Sequence, residues 1–210
     1  MMIEFFTNAL NGLLASSHWE LLAVALAIAY LLLAMKQSQW CWPAAFGSTT
    51  IYTVLFWDSA LLMESALNAY YLLMAIYGWW AWHKKSDSGQ SNTIQSWRWQ
   101  THVKVIGGLS LMSVIGGYIM ANYTHADFAY LDTVTTVFAI FTTWMVTQKI
   151  LENWIYWLVI DAASIYLYVA KGFNPTALLF MFYCVMVVFG YFKWRAQYLT
   201  STETLAPQRA

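Results

Sequence analysis

The chain has 210 residues, of which 60% are hydrophobic and only 10% charged, whereas a soluble domain carries about a quarter charged residues. A chain of this make-up cannot cover itself with a solvated surface, and a mean hydropathy of +0.51 together with 13 Trp, 14 Tyr and 12 Phe places it in the membrane class. Ten Lys plus Arg balance ten Asp plus Glu, so no basic field points to nucleic acid as a partner.

The start, Met1-Met2-Ile3-Glu4, has neither a basic leader region nor a small-residue cleavage pattern, so the first apolar run is expected to stay in the mature protein. A helix needs roughly 17–25 mostly apolar residues to cross the hydrocarbon with every backbone group satisfied. Seven stretches qualify: 20–35, 40–57, 59–82, 103–121, 131–148, 154–170 and 175–194. Pro43 and Pro175 fall in the first turns of the second and seventh, where a missing N–H costs nothing. The one long polar stretch, 83–104, rich in Ser, Gln and Asn, separates the third span from the fourth. The fourth carries Gly107-Gly108 and Gly116-Gly117, small residues that let membrane helices approach closely. Cys41 and Cys184 both lie in apolar runs without C-x-x-C spacing and read as small buried hydrophobes.

Short loops rich in Lys and Arg stay cytoplasmic. Lys36, Lys84, Lys85, Arg98, Lys104, Lys149, Lys193, Arg195 and Arg209 follow odd-numbered spans, and only Lys171 follows an even-numbered one. The expected protein is therefore all-α and polytopic, with seven transmembrane helices, the N-terminus outside and the C-terminus inside. The layout reads as 1–82, a first three-helix bundle; 83–121, a cytoplasmic linker and connecting helix; 122–194, a second three-helix bundle; and 195–210, a polar cytoplasmic tail. A 3+1+3 order with both triplets entering from one side is what two parallel repeats joined by an inverting helix produce. The openings Trp40-Cys41-Trp42 and Trp154-Ile155-Tyr156-Trp157 are the only residue-level echo between the halves.

A polar side chain inside a span is costly, faces the bundle interior and is a functional candidate by default. In the sixth span Trp154, Trp157, Asp161, Ser164 and Tyr168 step by 3, 4, 3 and 4, which stacks them on one helix face. The third span has a matching stripe in Glu64, Asn68, Tyr71, Ala75, Trp79 and Trp82. In the fifth, Thr136 and Thr143 lie seven residues apart below Asp132, and the second contributes Gly47, Ser48, Thr49 and Thr50. Hydroxyls in membrane helices commonly bond their own backbone, so most threonines read as structural. Trp79, Trp82, Trp154 and Trp157 sit where an interfacial aromatic belt would lie, and Trp157 is set apart from it by being one turn from Asp161. The substrate-binding set is thus Thr49, Glu64, Asn68, Tyr71, Thr136, Thr143, Trp154, Trp157, Asp161 and Ser164. His18, His83, His102 and His125 have no metal-ligand spacing, and no catalytic or nucleotide-binding motif is present; no enzyme activity, metal or cofactor is expected.

Tyr77-Gly78-Trp79-Trp80-Ala81-Trp82, closing the third span, and Lys149 followed by Glu152-Asn153-Trp154-Ile155-Tyr156-Trp157, opening the sixth, resemble the PnuC-type vitamin transporters. The resemblance spans about Leu21 to Trp194. It implies a 3+1+3 fold like that of SWEET sugar transporters and a site in the bacterial inner membrane. It also implies alternating-access facilitated diffusion of nicotinamide riboside, trapping by a cytoplasmic riboside kinase, and a homotrimer. Asp161 stands where the family carries Asn, and Asn68 where it carries Gln, so the polar contacts differ from the family's. The residues fit such a cargo physically: a pyridinium cation on a ribose wants aromatic faces, a carboxylate, and amide or hydroxyl partners. No Lys or Arg lies deep in a span to balance the charge of a phosphorylated substrate, which favours the riboside over the mononucleotide. The rivals are thiamine or riboflavin as cargo on the same fold, and a non-transporting sensor or packing subunit whose polar stripes merely join helices.

Overall fold

The computed structural model describes Thr7 and residues 17–58, 62–87, 93–124, 128–172 and 174–205. Among them it forms seven helices: α1 (His18–Met35), α2 (Cys41–Asp58), α3 (Leu62–Asp87), α4 (Trp99–Tyr123), α5 (Ala129–Thr147), α6 (Asn153–Ala170) and α7 (Asn174–Leu205). The seven predicted spans coincide with them. α3 runs beyond Trp82 into the predicted linker, α4 begins before it ends, and α7 continues well past Trp194 through the predicted polar tail. Hydropathy marks where a helix leaves hydrocarbon, and helical hydrogen bonding does not stop there. Four helices, α1, α4, α5 and α7, are long and apolar enough to cross a membrane by composition alone. α2, α3 and α6 carry the Trp, Thr, Asn and carboxylate residues singled out above, which lower their apolarity.

The chain divides into two compact units that do not follow chain order: residues 1–15, 96–142 and 152–188 form one, and 16–95, 143–151 and 189–210 the other. In the second unit α2 packs along both α1 and α3. The Ser48 hydroxyl of α2 donates to the Ala23 carbonyl of α1 at 2.8 Å, and Ser65 of α3 donates to the Thr53 carbonyl of α2 at 2.8 Å. Gly78 lets α3 lie against the Trp42 ring: a Cβ there would stand 2.4 Å from ring carbons. Trp42, Trp82 and Trp194 are fully buried, with Trp42 edge-on to Trp82 at 5.2 Å. Trp82 and Trp154, placed above in an interfacial belt, are core residues instead; their ring planes are needed to fill space between helices.

The turns that end α1 and α5 have the same build. Gln37 and Lys149 are both left-handed, at φ 53° and 56°. Gln37 N–H bonds Ala34 O and Ser38 N–H bonds Leu33 O, while Lys149 N–H bonds Val146 O and Ile150 N–H bonds Met145 O. This is the paired closure that usually carries glycine, and a side chain there costs on the order of 1 kcal/mol. The cost is offset by what the side chains do. Lys149 Nζ donates to Gln37 Oε1 at 3.0 Å across 112 residues and lies 4.4 Å from the centre of the Trp82 ring, where the cation meets the ring's negative face. Two indoles close the same helix ends, Trp82 Nε1–H donating to the Thr147 carbonyl at 3.1 Å and Trp194 Nε1–H to the Ala34 carbonyl at 3.0 Å. The 112-residue offset that relates Gln37 to Lys149 also relates Trp42 to Trp154, Gly78 to Gly190 and Trp82 to Trp194, an echo much more regular than the helix openings had indicated.

In the first unit the glycines of α4 have two fates. Gly116 and Gly117 meet α5, where a Cβ would come within 2.8 Å of Thr133 and 2.5 Å of Tyr130, whereas Gly107 and Gly108 have nothing within 4 Å of a Cβ. Only the second pair is a packing surface. Gly78→Ala forces a methyl into the buried Trp42 ring and should lower stability by about 1–3 kcal/mol, while Gly108→Ala should be neutral or raise it by up to about 1 kcal/mol through helix propensity. Thermal unfolding of the two variants in detergent checks both signs.

Candidate functional site

The first unit holds five of the predicted site residues, Thr136 on α5 and Trp154, Trp157, Asp161 and Ser164 on α6. The buried residues of α6 are Asn153, Trp154, Tyr156, Ile160, Asp161, Ser164 and Leu167; of the predicted stripe Trp154, Asp161 and Ser164 are buried, while Trp157 and Tyr168 are half-buried. α5 and α6 run antiparallel with a register fixed by two ring contacts, Phe138 with Tyr156 at 6.5 Å and Phe128 with Tyr166 at 6.4 Å. On α6, Asp161 lies midway in sequence between those two tyrosines.

Hydrogen bonding separates structural from available polar groups. Thr133, Thr135 and Thr142 donate to carbonyls three or four residues back, as do Thr49, Thr50 and Thr53 and Ser113. Asp132, aimed inward in the sequence reading, is held by Lys171 Nζ at 2.7 Å, with both side chains partly exposed. In contrast, the Thr136 and Ser164 hydroxyls and the Asp161 carboxyl make no hydrogen bond to any of the described residues, although Asp161 is only 3% exposed and Ser164 5%. Trp157 is half-buried and its ring has no aromatic partner among them. Buried polar groups are normally paired, and the exceptions mark functional sites. Asp161, Ser164, Thr136 and Trp157 are therefore the candidates for contact with a solute, and Trp154 is buried.

The second unit holds the other five. Asn68 and Tyr71 on α3 are half-buried, and Asn68 Nδ2–H donates to the Glu64 carbonyl at 2.9 Å, which leaves its amide oxygen open. Glu64 is exposed, Thr49 is half-buried with its hydroxyl bonded to its own helix, and Thr143 is buried. An apolar groove of about 310 Å³ lined by Trp42, Pro43, Phe46, Ala75, Ile76 and Trp79 contains none of these polar residues. Its exposed Phe46, Ile76 and Trp79 turn it toward hydrocarbon and not toward a water-soluble ligand. Among the described residues no group of His, Cys, Asp and Glu could hold a metal ion.

Sequence reasoning passed over one further cluster. Glu152, at the head of α6, accepts hydrogen bonds from the Ser96 hydroxyl and from the Trp97 backbone N–H at 3.2 Å. His102, in the first turn of α4, stands 3.0 Å through Nδ1 from the Tyr156 hydroxyl and 3.8 Å through Nε2 from Glu152. The signal available beforehand was the i,i+4 spacing of Glu152 and Tyr156, which puts both on one helix face.

A family model described as the nicotinamide mononucleotide transporter matches residues 17–196. The chain belongs to that family. It is 22% identical over 167 residues to the riboflavin/roseoflavin transporter RibM of Streptomyces davaonensis, a match covering 78% of either chain. It is 20% identical over 172 residues to the nicotinamide riboside transporter PnuC of Escherichia coli, a match covering 70% of this chain and 72% of that one. Among solved structures, the crystal structure of the vitamin B3 transporter PnuC superposes with a TM-score of 0.74 at 18% identity, covering 94% of this chain and 90% of that one. At that identity the likeness carries the fold. The protein is a multi-pass protein of the bacterial inner membrane in a family of vitamin transporters of PnuC type.

The division of polar groups is open to measurement. Ser164→Ala and Thr136→Val remove hydroxyls that bond none of the described residues and should change unfolding stability by less than about 0.5 kcal/mol. Ser48→Ala removes the buried bond between α1 and α2 and should cost about 1 kcal/mol. Thermal unfolding of the three single variants, compared side by side, reads the difference.

Proposed function

We propose that this protein imports nicotinamide riboside by facilitated diffusion with alternating access, and that it is a carrier and not an enzyme. The observation that carries the reading is Asp161: a buried carboxyl with no hydrogen-bond partner among the described residues, one turn from a tryptophan whose ring is unoccupied by any aromatic neighbour. A carboxylate withdrawn from water loses several kcal/mol of solvation unless a positive charge is brought beside it. A pyridinium ring stacked on Trp157 brings that charge, and the Ser164 and Thr136 hydroxyls provide partners for a ribose. In the other unit, Asn68 and Tyr71 are the amide and phenol proposed for cargo contact, and Thr49, Glu64 and Thr143, with Trp154 beside Asp161 on α6, remain the lesser candidates.

The absence of a counter-cation sets the phosphorylation state of the cargo. The basic side chains described in the unit that holds Asp161 are Arg98, His102, Lys104 and Lys171. Arg98 and Lys104 are exposed, His102 is engaged by Tyr156, and Lys171 is paired with Asp132. A phosphate would bring about two negative charges to a site that already holds a carboxyl. The mononucleotide is therefore rejected, and a riboside phosphorylated in the cytoplasm cannot leave by the route it entered; a kinase there traps it.

The architecture we infer is seven spans in a 3+1+3 order, N-terminus outside and C-terminus inside, with α4 as the inverting helix. The matched turns at Gln37 and Lys149, and the indoles Trp82 and Trp194 that close them reciprocally, support two parallel three-helix repeats. The assembly we propose with it is a homotrimer. Riboflavin is the second cargo to test, because RibM is among the relatives; its neutral ring system would leave Asp161 without a counter-charge, which favours the riboside.

Calorimetric titration of the detergent-purified protein with nicotinamide riboside, the mononucleotide, thiamine and riboflavin separates these cargoes. The riboside should bind and the mononucleotide should not. Asp161→Ala, and independently Trp157→Ala, should weaken riboside binding at least tenfold, about 1.4 kcal/mol, with the fold retained. Tighter binding of riboflavin or of the mononucleotide, or riboside binding untouched by Asp161→Ala, would reject the assignment.

A further inference from the structure

The largest fully buried side chains are the indoles of Trp42, Trp82 and Trp194, and two of them bond helix-end carbonyls through their N–H, Trp82 to Thr147 and Trp194 to Ala34. Trp42 differs. Its Nε1–H is buried with no acceptor among the described residues, although the ring is only 2% exposed and in contact with the rings of Tyr30, at 6.3 Å, and Trp82, at 5.2 Å. A buried indole N–H normally finds a partner, so its acceptor is to be sought outside them. Cε2, the ring carbon that carries the nitrogen, is on the side of the ring that lies against Gly78. Ala75 and Trp79, either side of Gly78 on α3, line the apolar groove described above together with Ile76 and, from α2, Trp42, Pro43 and Phe46. The unmatched donor is thus part of the groove wall. One end of the groove is aromatic and cationic. His83 stacks on Trp79, ring centres 6.5 Å apart and 5° from parallel, and the exposed Trp40 meets the same indole edge-on at 6.0 Å. Ile76, Trp80 and Lys84 step by four along α3 and share a face. Lys84 is exposed, and its Nζ lies 5.0 Å from the centre of the Trp80 ring, so the ammonium is folded back toward the groove.

We propose that this groove binds one anionic glycerophospholipid of the surrounding bilayer: an acyl chain lies along Phe46 and Ile76, an ester carbonyl accepts from Trp42 Nε1–H, and the phosphate sits at Lys84 within the aromatic rim. The occupant follows from what each alternative can offer the N–H. An acyl chain alone offers no acceptor. A helix of a second copy has its carbonyls bonded within itself, as a bilayer requires. A water in an apolar groove lacks the roughly two to four polar partners that hold one in place. An ester carbonyl has unbonded lone pairs, and it lies at the depth where a lipid passes from hydrocarbon to headgroup, the depth at which tryptophans gather. Trp40, Trp79 and Trp80, all exposed, mark that depth beside Trp42. A lysine near the membrane surface draws anionic headgroups, and Lys84, about 9 Å along α3 from Gly78, is within a side chain's reach of a phosphate whose ester is at Trp42. In the orientation proposed above this rim is cytoplasmic. None of this depends on which cargo is carried.

The test is native mass spectrometry of the full-length protein, released from mild detergent after incubation with phosphatidylglycerol, with its ether-linked analogue, which has no ester carbonyl, or with the zwitterionic phosphatidylethanolamine. The wild type should bind ester phosphatidylglycerol about fivefold more tightly than the ether analogue, and more tightly than phosphatidylethanolamine by a similar factor. Trp42→Phe, which keeps an aromatic ring against Gly78 and removes the N–H, should bind the ester form as weakly as the wild type binds the ether form, with binding of the ether form unchanged. Lys84→Gln should lose the preference for phosphatidylglycerol over phosphatidylethanolamine and keep that for ester over ether. Equal binding of the ester and ether lipids by the wild type, a comparison that no folding defect of a variant can disturb, overturns the proposal. So does an oligomer that comes apart as lipid is added, because the groove then belongs to a second copy of the chain.

Discussion

A lysine ammonium enclosed by protein has to be met by acceptors, and in this molecule Lys149 is enclosed almost completely, at 4% exposure. Its partners are Gln37, 112 residues away, and the face of Trp82. To place its side chain there the backbone adopts a left-handed turn that glycine would enter more easily, and Gln37 does the same. Once both turns are fixed, the ends of α1 and α5 are fixed with them. Their last carbonyls are then positioned to accept the indole N–H groups of Trp194 and Trp82, and Gly78 is needed because Trp42 fills the space beside Trp82. The chain thus ties together, at one buried cation, helix ends widely separated in sequence.

The remaining polar groups divide by what they bond. In a bilayer the backbone must be satisfied internally, and hydroxyls that bond their own helix add nothing that a solute could use. Most of the threonines in α2 and α5 are of this kind. Asp161 and Ser164 of α6 and Thr136 of α5 are not, since they bond none of the described residues. Family membership places the protein among vitamin transporters. The proposal of a cation without a phosphate as cargo rests on the charge and aromatic character of these particular residues and of Trp157.

Much of this was legible beforehand, and what was not has physical reasons. The seven helices follow from runs of apolar residues, and of the 3, 4, 3, 4 stripe from Trp154 to Tyr168 the residues Trp154, Asp161 and Ser164 are buried on α6, whereas Trp157 and Tyr168 are half-buried. Hydropathy could not separate Trp82 and Trp154 from an interfacial belt, because a tryptophan at a helix end has the same sequence signature whether it faces lipid or fills a core. Nor could it tell Gly116 and Gly117, which meet α5, from Gly107 and Gly108, which meet nothing. The 112-residue offset was harder to see than the span order, because its identical pairs, Trp42 and Trp154, Gly78 and Gly190, Trp82 and Trp194, are widely spaced and the turns it aligns carry the chemically unlike Gln37 and Lys149. The cluster around His102 was hidden for a related reason: Ser96, His102 and Glu152 are brought together only by the fold.

The central claim is that the protein carries nicotinamide riboside down its gradient and does no more. Reconstituted into sealed liposomes with labelled riboside outside, it should fill them only until inside and outside concentrations match, and continue beyond that point only when a riboside kinase and its phosphate donor are enclosed. Accumulation above equilibrium without a kinase, driven by a proton or sodium gradient, would contradict it.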